Sequence, residues 1–208
     1  MQKFELLKSF KSNKWAGGLT TQLFIYPPTS DYQQLIFSFR ISTATVTTEK
    51  SDFTILPGVS RKLMVLDGEI TLYHENHHTK QLHKFDIDIF EGAWKTSSHG
   101  KCTDFNLMTT GKTIGELEAV IIKKSQHLIY PIESKWNWLF IYVSAGKVSV
   151  LLNQKKHIIH QGNLLALNEI VIHSLELEGT EKSELIISKI FSIEIFAYPP
   201  EDFNLEKL

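Results

Sequence analysis

The sequence predicts an all-β fold built from two β-barrels with little helix. Three observations favour it: short runs in which apolar and polar residues alternate, turn-forming residues at near-regular intervals, and an internal repeat. The alternation is clearest where Phe39 and Ile41 share one face of a strand while Arg40 and Ser42 share the other, as the period of two in a β-strand requires. Many short strands separated by regular turns are typical of a sandwich or a closed barrel.

Similar runs follow along the chain. The other predicted strands are Ile70–Tyr73, Phe85–Phe90, Phe105–Met108, Leu139–Val143, Lys147–Leu152, His157–His160 and Leu185–Phe191. Turn-forming pairs punctuate them at Pro27-Pro28, Pro57-Gly58, Asp67-Gly68, Glu91-Gly92, His99-Gly100, Ala145-Gly146, Gln161-Gly162 and Glu178-Gly179. Two segments favour short helices, Thr113–Ile122 and the tail Pro199–Leu208.

The internal repeat divides the chain into two parts. Leu63–Leu72 and Ile141–Val150 each read as a strand, a glycine turn and a second strand. We therefore predict a first barrel over residues 1–115 and a second over residues 116–208, with the junction within residues 110–125.

Composition and charge disfavour several classes of protein. The 208 residues carry 22 basic and 23 acidic side chains, so the formal net charge of −1 gives no electrostatic reason to expect nucleic acid or an anionic membrane as partner. No apolar run approaches the roughly 18 residues that a spanning helix needs. The only cysteine, Cys102, excludes an internal disulfide, and no signal-peptide pattern follows Met1, so a cytoplasmic location is expected.

An aromatic stripe marks one strand of the second half. Trp136, Trp138, Phe140 and Tyr142 occupy every second position and therefore share a face. Because no basic groove accompanies them, they do not indicate a surface for single-stranded nucleic acid. We interpret the stripe as the contact between the two barrels or between the subunits of a homodimer.

Five short motifs between Trp15 and Met108 resemble those of a known family. They are Trp15-Ala16-Gly17-Gly18-Leu19-Thr20, Phe39-Arg40-Ile41-Ser42-Thr43-Ala44, Pro57-Gly58-Val59-Ser60-Arg61, Leu66-Asp67-Gly68 and Asp104-Phe105-Asn106-Leu107-Met108. In this order they resemble the HutD/Ves family. The resemblance implies a bicupin, in which two cupin barrels commonly exchange terminal strands. It also implies a link to histidine utilisation in some bacteria, without an established catalytic reaction.

The resemblance to cupins raises the question of a metal. Cupins usually bind a divalent ion through His-x-His-x-x-x-Glu, with a glycine seven residues after the glutamate. Counted back from Gly68, the three ligand positions hold Ile55, Pro57 and Arg61. The equivalent positions counted back from Gly146 hold Glu133, Lys135 and Leu139. We therefore predict that neither barrel holds the cupin metal and that the chain uses no metal or other cofactor.

Four histidines lie close together in the sequence, at His74, His77, His78 and His83. Their position between two strand-like runs predicts a solvated hairpin tip. A loop histidine without a ligand role is the expected outcome for each of them.

Polar residues on three predicted strands indicate an anion site inside the first barrel. Arg40 and Ser42 share one strand face, Asp104 and Asn106 share another, and Arg61 stands where the cupin glutamate would point inward. Arginine suits bidentate recognition of a carboxylate. We expect Arg40 and Arg61 to hold a small anionic metabolite that Ser42 and Asn106 orient.

Trp15 is a further candidate for this site. It precedes the pair Gly17-Gly18, which permits a close backbone approach, and its ring can either cover the barrel mouth or only pack. The implied link to histidine utilisation points to urocanate or formylglutamate as the metabolite.

Other interpretations of the same residues stay open. Asp104 can pair with Arg40 or Arg61 as an internal ion pair that binds nothing. It can also act as the general base of a metal-independent isomerase or lyase, although two neighbouring arginines are expected to lower its pKa and make it a weak base. The third interpretation is a stress-associated interaction protein without a working pocket.

Overall fold

The computed structural model describes residues 3–193, and that part of the chain contains strands and no helix. Its strands are β1 (Lys3–Leu7), β2 (Lys11–Trp15), β3 (Gly18–Tyr26), β4 (Phe39–Val46), β5 (Lys50–Asp52), β6 (Val59–Gly68), β7 (Ile70–His74), β8 (Thr79–Leu82), β9 (Ile87–Glu91), β10 (Thr96–His99), β11 (Cys102–Thr110), β12 (Ile114–Ile122), β13 (His127–Pro131), β14 (Trp138–Ala145), β15 (Lys147–Leu152), β16 (Lys155–His160), β17 (Leu164–Asn168), β18 (Ser174–Gly179) and β19 (Ser183–Phe191). The predicted tail helix Pro199–Leu208 lies outside the described residues. Nowhere in residues 3–193 is there a helix long and apolar enough to cross a bilayer.

The strands form four antiparallel sheets that pack in pairs. In the first barrel a six-stranded sheet, β2-β3-β4-β11-β6-β9, shares a core with the four-stranded sheet β5-β10-β7-β8. In the second barrel a five-stranded sheet, β1-β17-β14-β19-β12, shares a core with the four-stranded sheet β13-β18-β15-β16. The predicted all-β fold with two barrels is confirmed.

The two barrels repeat one strand order. The run β9-β6-β11-β4 of the first barrel corresponds to β17-β14-β19-β12 of the second, and β5-β10-β7-β8 corresponds to β13-β18-β15-β16. β1 lies in the sheet of the second barrel, paired with β17, and β12 joins the same sheet from Ile114 onward. The boundary between residues 115 and 116 stays a prediction.

Glycine turns hold equivalent places in the repeat. Gly68 joins β6 to β7 with φ +77°, and Gly146 joins β14 to β15 with φ +79°. A Cβ atom would come within 2.4 Å of the Lys101 carbonyl oxygen at Gly68 and within 2.2 Å of the Lys182 carbonyl oxygen at Gly146. Both the left-handed backbone and the close approach of a neighbouring strand therefore require glycine.

The helix predicted over Thr113–Ile122 is wrong, because this segment forms β12 and pairs with β19. Leu117 and Ala119 face the first barrel, while Val120 and Ile122 face the interior of the second. With apolar residues required on both faces, the strand lacks the polar and apolar alternation by which a strand is recognised.

The two larger sheets pack face to face through an aromatic core. Trp138 and Phe140 of β14 lie 5.4 and 5.8 Å, ring centre to ring centre, from Phe39 of β4. Tyr142 contacts Phe105 of β11 in the same layer. The interpretation of Trp138, Phe140 and Tyr142 as inter-barrel core is confirmed, so this stripe does not form a dimer surface. Trp136 is buried outside that cluster, beneath Lys135 and Lys189.

Substituting alanine for Gly68 tests the turn argument, with Gly58→Ala as the matched control. Gly58 has nearly the same φ, +76°, but a Cβ there meets nothing within 4 Å. We expect Gly58→Ala to lower the free energy of unfolding by about 1–2 kcal/mol, the left-handed backbone penalty alone. Gly68→Ala should cost about 3 kcal/mol or more, because a backbone carbonyl must also move. Equal losses in urea unfolding would contradict a steric role for Gly68.

Candidate functional site

Five of the six predicted site residues meet inside the first barrel. Met108 on β11 pairs with Arg40 on β4 and with Arg61 on β6, so the two arginines flank it in one row. With about 4.8 Å between strands, their Cα atoms lie about 10 Å apart. The next row on this face of the sheet lies two residues along each strand, where Asn106 pairs with Ser42. We call Arg40, Ser42, Arg61, Asp104 and Asn106 the arginine cluster; each is at most 6% exposed.

Arg40 is held by neighbours on its own sheet. Its Nε donates a hydrogen bond to Oε1 of Gln22 at 2.9 Å, and its Nη1 donates to Oγ of Ser42 at 3.0 Å. The guanidinium lies 4.3 Å from the ring centre of Tyr32, in the loop between β3 and β4. These contacts fix the direction of the side chain and leave further N–H donors of its five.

Arg61 has a different environment. Its guanidinium lies 4.9 and 5.1 Å from the ring centres of Phe53 and Phe90. Its Nε is buried and has no hydrogen-bond partner among the described residues, and the same holds for Oδ1 of Asn106. A buried donor on a cation and a buried acceptor are thus both unpaired in the cluster.

Both arginines keep their charge at neutral pH. Burial lowers the pKa of Arg61 to about 10, with Tyr32 and Asp104 opposing and Arg40 reinforcing the change. Burial also lowers the pKa of Arg40. Arg61 stays protonated at pH 7 with this pKa, and an arginine such as Arg40 is not deprotonated in proteins at neutral pH. The interior of the barrel therefore carries two cations.

Asp104 does not neutralise them as an ion pair. It lies two rows from the arginines, opposite Ala44 and Val65, and no salt bridge within 4 Å joins it to either arginine in residues 3–193. Burial raises its pKa to about 7, and the nearby charge of Arg61 only partly opposes this. The expectation of a lowered pKa is therefore wrong: loss of hydration outweighs the attraction of a cation that does not touch the carboxylate.

Trp15 lies apart from the cluster. It pairs with Gly18 at the end of β2, and Gly18 in turn pairs with Val46, six residues along β4 from Arg40. At about 3.3 Å per residue this is roughly 20 Å. Its ring lies over Gly17 and is 40% exposed. The structure does not bring Trp15 to the arginines, and its role in binding stays a prediction.

The sequence profile of the HutD family matches residues 7–187. The chain belongs to the HutD family. A comparison with curated protein sequences gives no match.

Solved structures share the HutD-type fold at low identity. PA5104 from Pseudomonas aeruginosa PAO1, a conserved protein of unknown function, aligns with 91% of this chain and 100% of its own at TM-score 0.78 and 17% identity. HutD from Pseudomonas fluorescens SBW25 aligns with 91% of this chain and 98% of its own, at TM-score 0.67 and 19% identity. YhhW from Escherichia coli aligns with 90% of this chain and 97% of its own, at TM-score 0.69 and 11% identity. At these identities the similarity shows the cupin-type fold alone.

The cupin metal position of this HutD chain does not fit a metal. Arg61, at the position of the glutamate ligand, faces the barrel interior as a buried cation. Ile55, at the first histidine position, is 54% exposed and offers no donor, and Pro57 is exposed as well. A guanidinium repels a divalent cation and has no lone pair to give it.

The second barrel of the HutD fold has an apolar interior at the equivalent places. By strand order and row, Arg61 corresponds to Leu139, Asn106 to Ile187 and Asp104 to Leu185. These three counterparts are fully buried members of one hydrophobic cluster. The fold therefore does not require the polar residues of the first barrel.

The histidine cluster departs from the prediction. His77 and His83 are exposed, and His78 is 39% exposed at its side chain, as a hairpin tip suggests. The side chain of His74, in contrast, is fully buried, with Nε2 2.9 Å from Oδ2 of Asp88. The prediction of a solvated loop residue is wrong for His74, because it is the last residue of β7 and shares the inward face of Leu72.

Sequence reasoning missed four residues that surround the arginines: Gln22, Tyr32, Phe53 and Phe90. One signal was present, since only two of the 22 basic residues are arginines and both lie in this barrel. Such a bias indicates sites where planar, multi-donor recognition matters more than surface charge. Tyr32 and Phe53 lie in loops without a periodic pattern, so their approach depends on tertiary structure.

The raised pKa of Asp104 predicts a specific pH dependence of stability. Between pH 4 and 7 the folded chain holds a proton that the unfolded chain has lost, so the free energy of unfolding falls as pH rises through this range. Asp104→Asn stays neutral and removes this contribution. From pH 5 to 8 we expect the wild type to lose about 3 kcal/mol more than the variant.

Urea unfolding at each pH measures the difference, with the exposed Asp67→Asn as control. Two titratable groups, Arg61 and Cys102, interact electrostatically with Asp104. Neither titrates below pH 8, since burial brings the pKa of Arg61 to about 10 and that of Cys102 to about 12. Parallel curves for wild type and Asp104→Asn would show that the carboxyl group ionises normally.

Proposed function

We propose that this HutD-family chain binds a small carboxylate inside its first barrel, with Arg61 as the principal anion-binding residue and Arg40 as the second. One observation carries the proposal: the guanidinium of Arg61 is buried and its Nε has no hydrogen-bond partner among the described residues. An unpaired buried donor costs about 1–3 kcal/mol, and more when it is charged. A ligand carboxylate would remove that cost through charge-assisted hydrogen bonds.

The chemistry of the rest of the cluster narrows the ligand. The unpaired Oδ1 of Asn106 can only accept a hydrogen bond, so it favours a ligand that carries an N–H group as well as a carboxylate. Arg40, aligned by Gln22 and Ser42, supplies further donors on the other side of Met108. The apolar counterparts in the second barrel support a binding role, because the fold alone does not explain the polar residues.

Urocanate and formylglutamate are the candidate ligands. Each has a carboxylate and an N–H group, and the family is linked to histidine utilisation. The proposal includes a cytoplasmic, regulatory or ligand-binding role that uses no metal at the cupin position. The lone Cys102, buried as a thiol, is compatible with a reducing compartment.

Catalysis is the second candidate function, and the environment of Asp104 favours it. A carboxyl group whose pKa is raised to about 7 is suited to accept a proton at neutral pH, as the general base of an isomerase or lyase must. In that case Asp104→Asn should retain ligand binding and abolish turnover. If the chain only binds its ligand, Asp104→Asn should retain binding, and the wild type itself should show no turnover.

Thermal stability of the chelated protein against a panel of acids tests binding. The panel contains urocanate, formylglutamate, histidine and glutarate, which has two carboxylates but no N–H group. A ligand at a hundredfold excess over its Kd should stabilise the native state by about 2.7 kcal/mol. We expect formylglutamate or urocanate to raise the stability more than glutarate does, because each carries an N–H group that can donate to Oδ1 of Asn106 and glutarate carries none.

Variants on β6 identify the site. Arg61→Leu introduces the residue found at the equivalent place in the second barrel and should weaken binding by about 2 kcal/mol or more, roughly 30-fold. Lys62→Met is the matched control, since it removes a cation from the adjacent position, which faces away from the cluster. Unchanged affinity in Arg61→Leu, or an equal loss in Lys62→Met, would contradict the proposal. No response to any acid would favour an interaction protein.

A further inference from the structure

A second polar cluster lies in the first barrel, beside Phe90. It consists of His74 at the end of β7, His78 in the turn before β8, and Asp88 on β9, and we call it the His–Asp cluster. The ring of Phe90 lies 4.6 Å from the His74 ring and 5.1 Å from the Arg61 guanidinium. None of the three residues belongs to the arginine cluster.

The turn brings the two imidazoles together. The backbone N–H of His74 donates to the His78 carbonyl oxygen at 2.9 Å, and Asn76 between them has φ +62°, which reverses the chain. The two rings consequently lie 4.5 Å apart. Asp88 enters from the neighbouring sheet, with Oδ2 2.9 Å from Nε2 of His74 and Oδ1 3.2 Å from Nε2 of His78.

Thr96 lies against the other ring nitrogen of His74. Its hydroxyl oxygen lies 2.8 Å from Nδ1 of His74 and 3.3 Å from the Trp94 carbonyl oxygen, which can accept the hydroxyl proton. When it does, Nδ1–H of His74 donates to the Thr96 oxygen and the Nε2 lone pair faces Asp88. This is the tautomer that a metal at Nε2 requires.

The Asp88 carboxylate faces three basic groups. Nε2 of His74 lies 2.9 Å from its Oδ2, Nε2 of His78 lies 3.2 Å from its Oδ1, and Nζ of Lys80, which is 46% exposed, lies 3.8 Å from Oδ1. Two of these groups are imidazole nitrogens that can each give a lone pair to a metal. A metal ion that replaces the proton between an imidazole and the carboxylate would therefore contact both rings and the carboxylate.

We propose that His74 Nε2, His78 Nε2 and a carboxylate oxygen of Asp88 bind one divalent transition metal ion of the zinc type. Two imidazoles and one carboxylate form a known ligand set for zinc, whereas calcium and magnesium prefer oxygen ligands alone. The potential ligand atoms all lie within 4.8 Å of one another. Zinc at 2.0–2.2 Å separates tetrahedral ligands by about 3.4 Å, a small change from the distances here.

The surroundings have the features of a metal site. The Thr96 oxygen, 2.8 Å from Nδ1 of His74, can accept a hydrogen bond from Nδ1–H, as outer-shell partners of metal-bound histidines do. The partial exposure of His78 gives the ion an entry path and leaves a fourth position for water. The site is distinct from the cupin position at Ile55, Pro57 and Arg61, so the prediction of a chain without any metal gives way to a proposal at another place.

Such an ion would have a structural effect that does not depend on the anion site. His74 belongs to the four-stranded sheet and Asp88 to the six-stranded sheet. One ion would therefore join the two sheets of the first barrel across their seam.

Titration of the full chain with zinc after chelation tests the proposal. We expect one zinc ion per chain by competition with a chromophoric chelator, a higher Tm on binding, and the intense visible absorption of tetrahedral cobalt when Co²⁺ replaces zinc. His78→Ala should bind at least tenfold more weakly. Asp88→Asn, which keeps the shape of the side chain, should also lose affinity, and Thr96→Val should lose about 10–100-fold through the outer shell.

His77→Ala is the matched control. His77 adjoins His78 in the same turn but stacks on Trp94 at 3.7 Å and is absent from the cluster. It should bind zinc as the wild type does. Failure of the wild type to bind one equivalent would overturn the proposal, and so would wild-type affinity in His78→Ala. An equal loss in His77→Ala and His78→Ala would point to adventitious surface binding instead.

Discussion

The central strands of the six-stranded sheet are buried on both faces, and the position of every site residue depends on this constraint. On β4 and β11, Phe39 and Phe105 pack against the second barrel while Arg40 and Asn106 point into the first. A slip of one residue would exchange these faces and place guanidinium groups in the aromatic layer. The packing between the barrels therefore fixes the strand register, and the register aims the arginines inward.

The environment of Arg61 shows why aromatic contacts alone do not balance its burial. A desolvated cation–π contact contributes about 2 kcal/mol, whereas the effective penalty for burying an ion is several kcal/mol. The rings of Phe53 and Phe90 therefore offset only part of the cost, and Arg40 in the same row adds repulsion. Asp104 is too distant to pair and is itself half protonated near pH 7. The uncompensated remainder is what a bound carboxylate would relieve.

The sequence predicted the faces of strands better than the environments on those faces. Alternation placed Arg40, Ser42, Asp104 and Asn106 on the inward side, because side-chain direction follows from the period of two. The pKa of Asp104 could not be predicted, since it depends on a two-row separation from Arg61 and on full burial. β12 was missed for a related reason: contacts on both faces erased its alternation. The burial of His74 could not be predicted either, because the sequence pattern ends the strand at Tyr73 and β7 continues through His74.

Phe90 links the two halves of the first barrel physically. It lies two residues from Asp88 on β9, and its ring contacts both His74 and the guanidinium of Arg61. An ion that holds β7 against β9 would restrict the position of this ring and hence the wall of the arginine cluster. If both ligands bind, each must then alter the affinity for the other by the same factor, because coupling between sites is reciprocal. The second barrel, with Leu139 in place of Arg61, has no equivalent of this arrangement among its described residues.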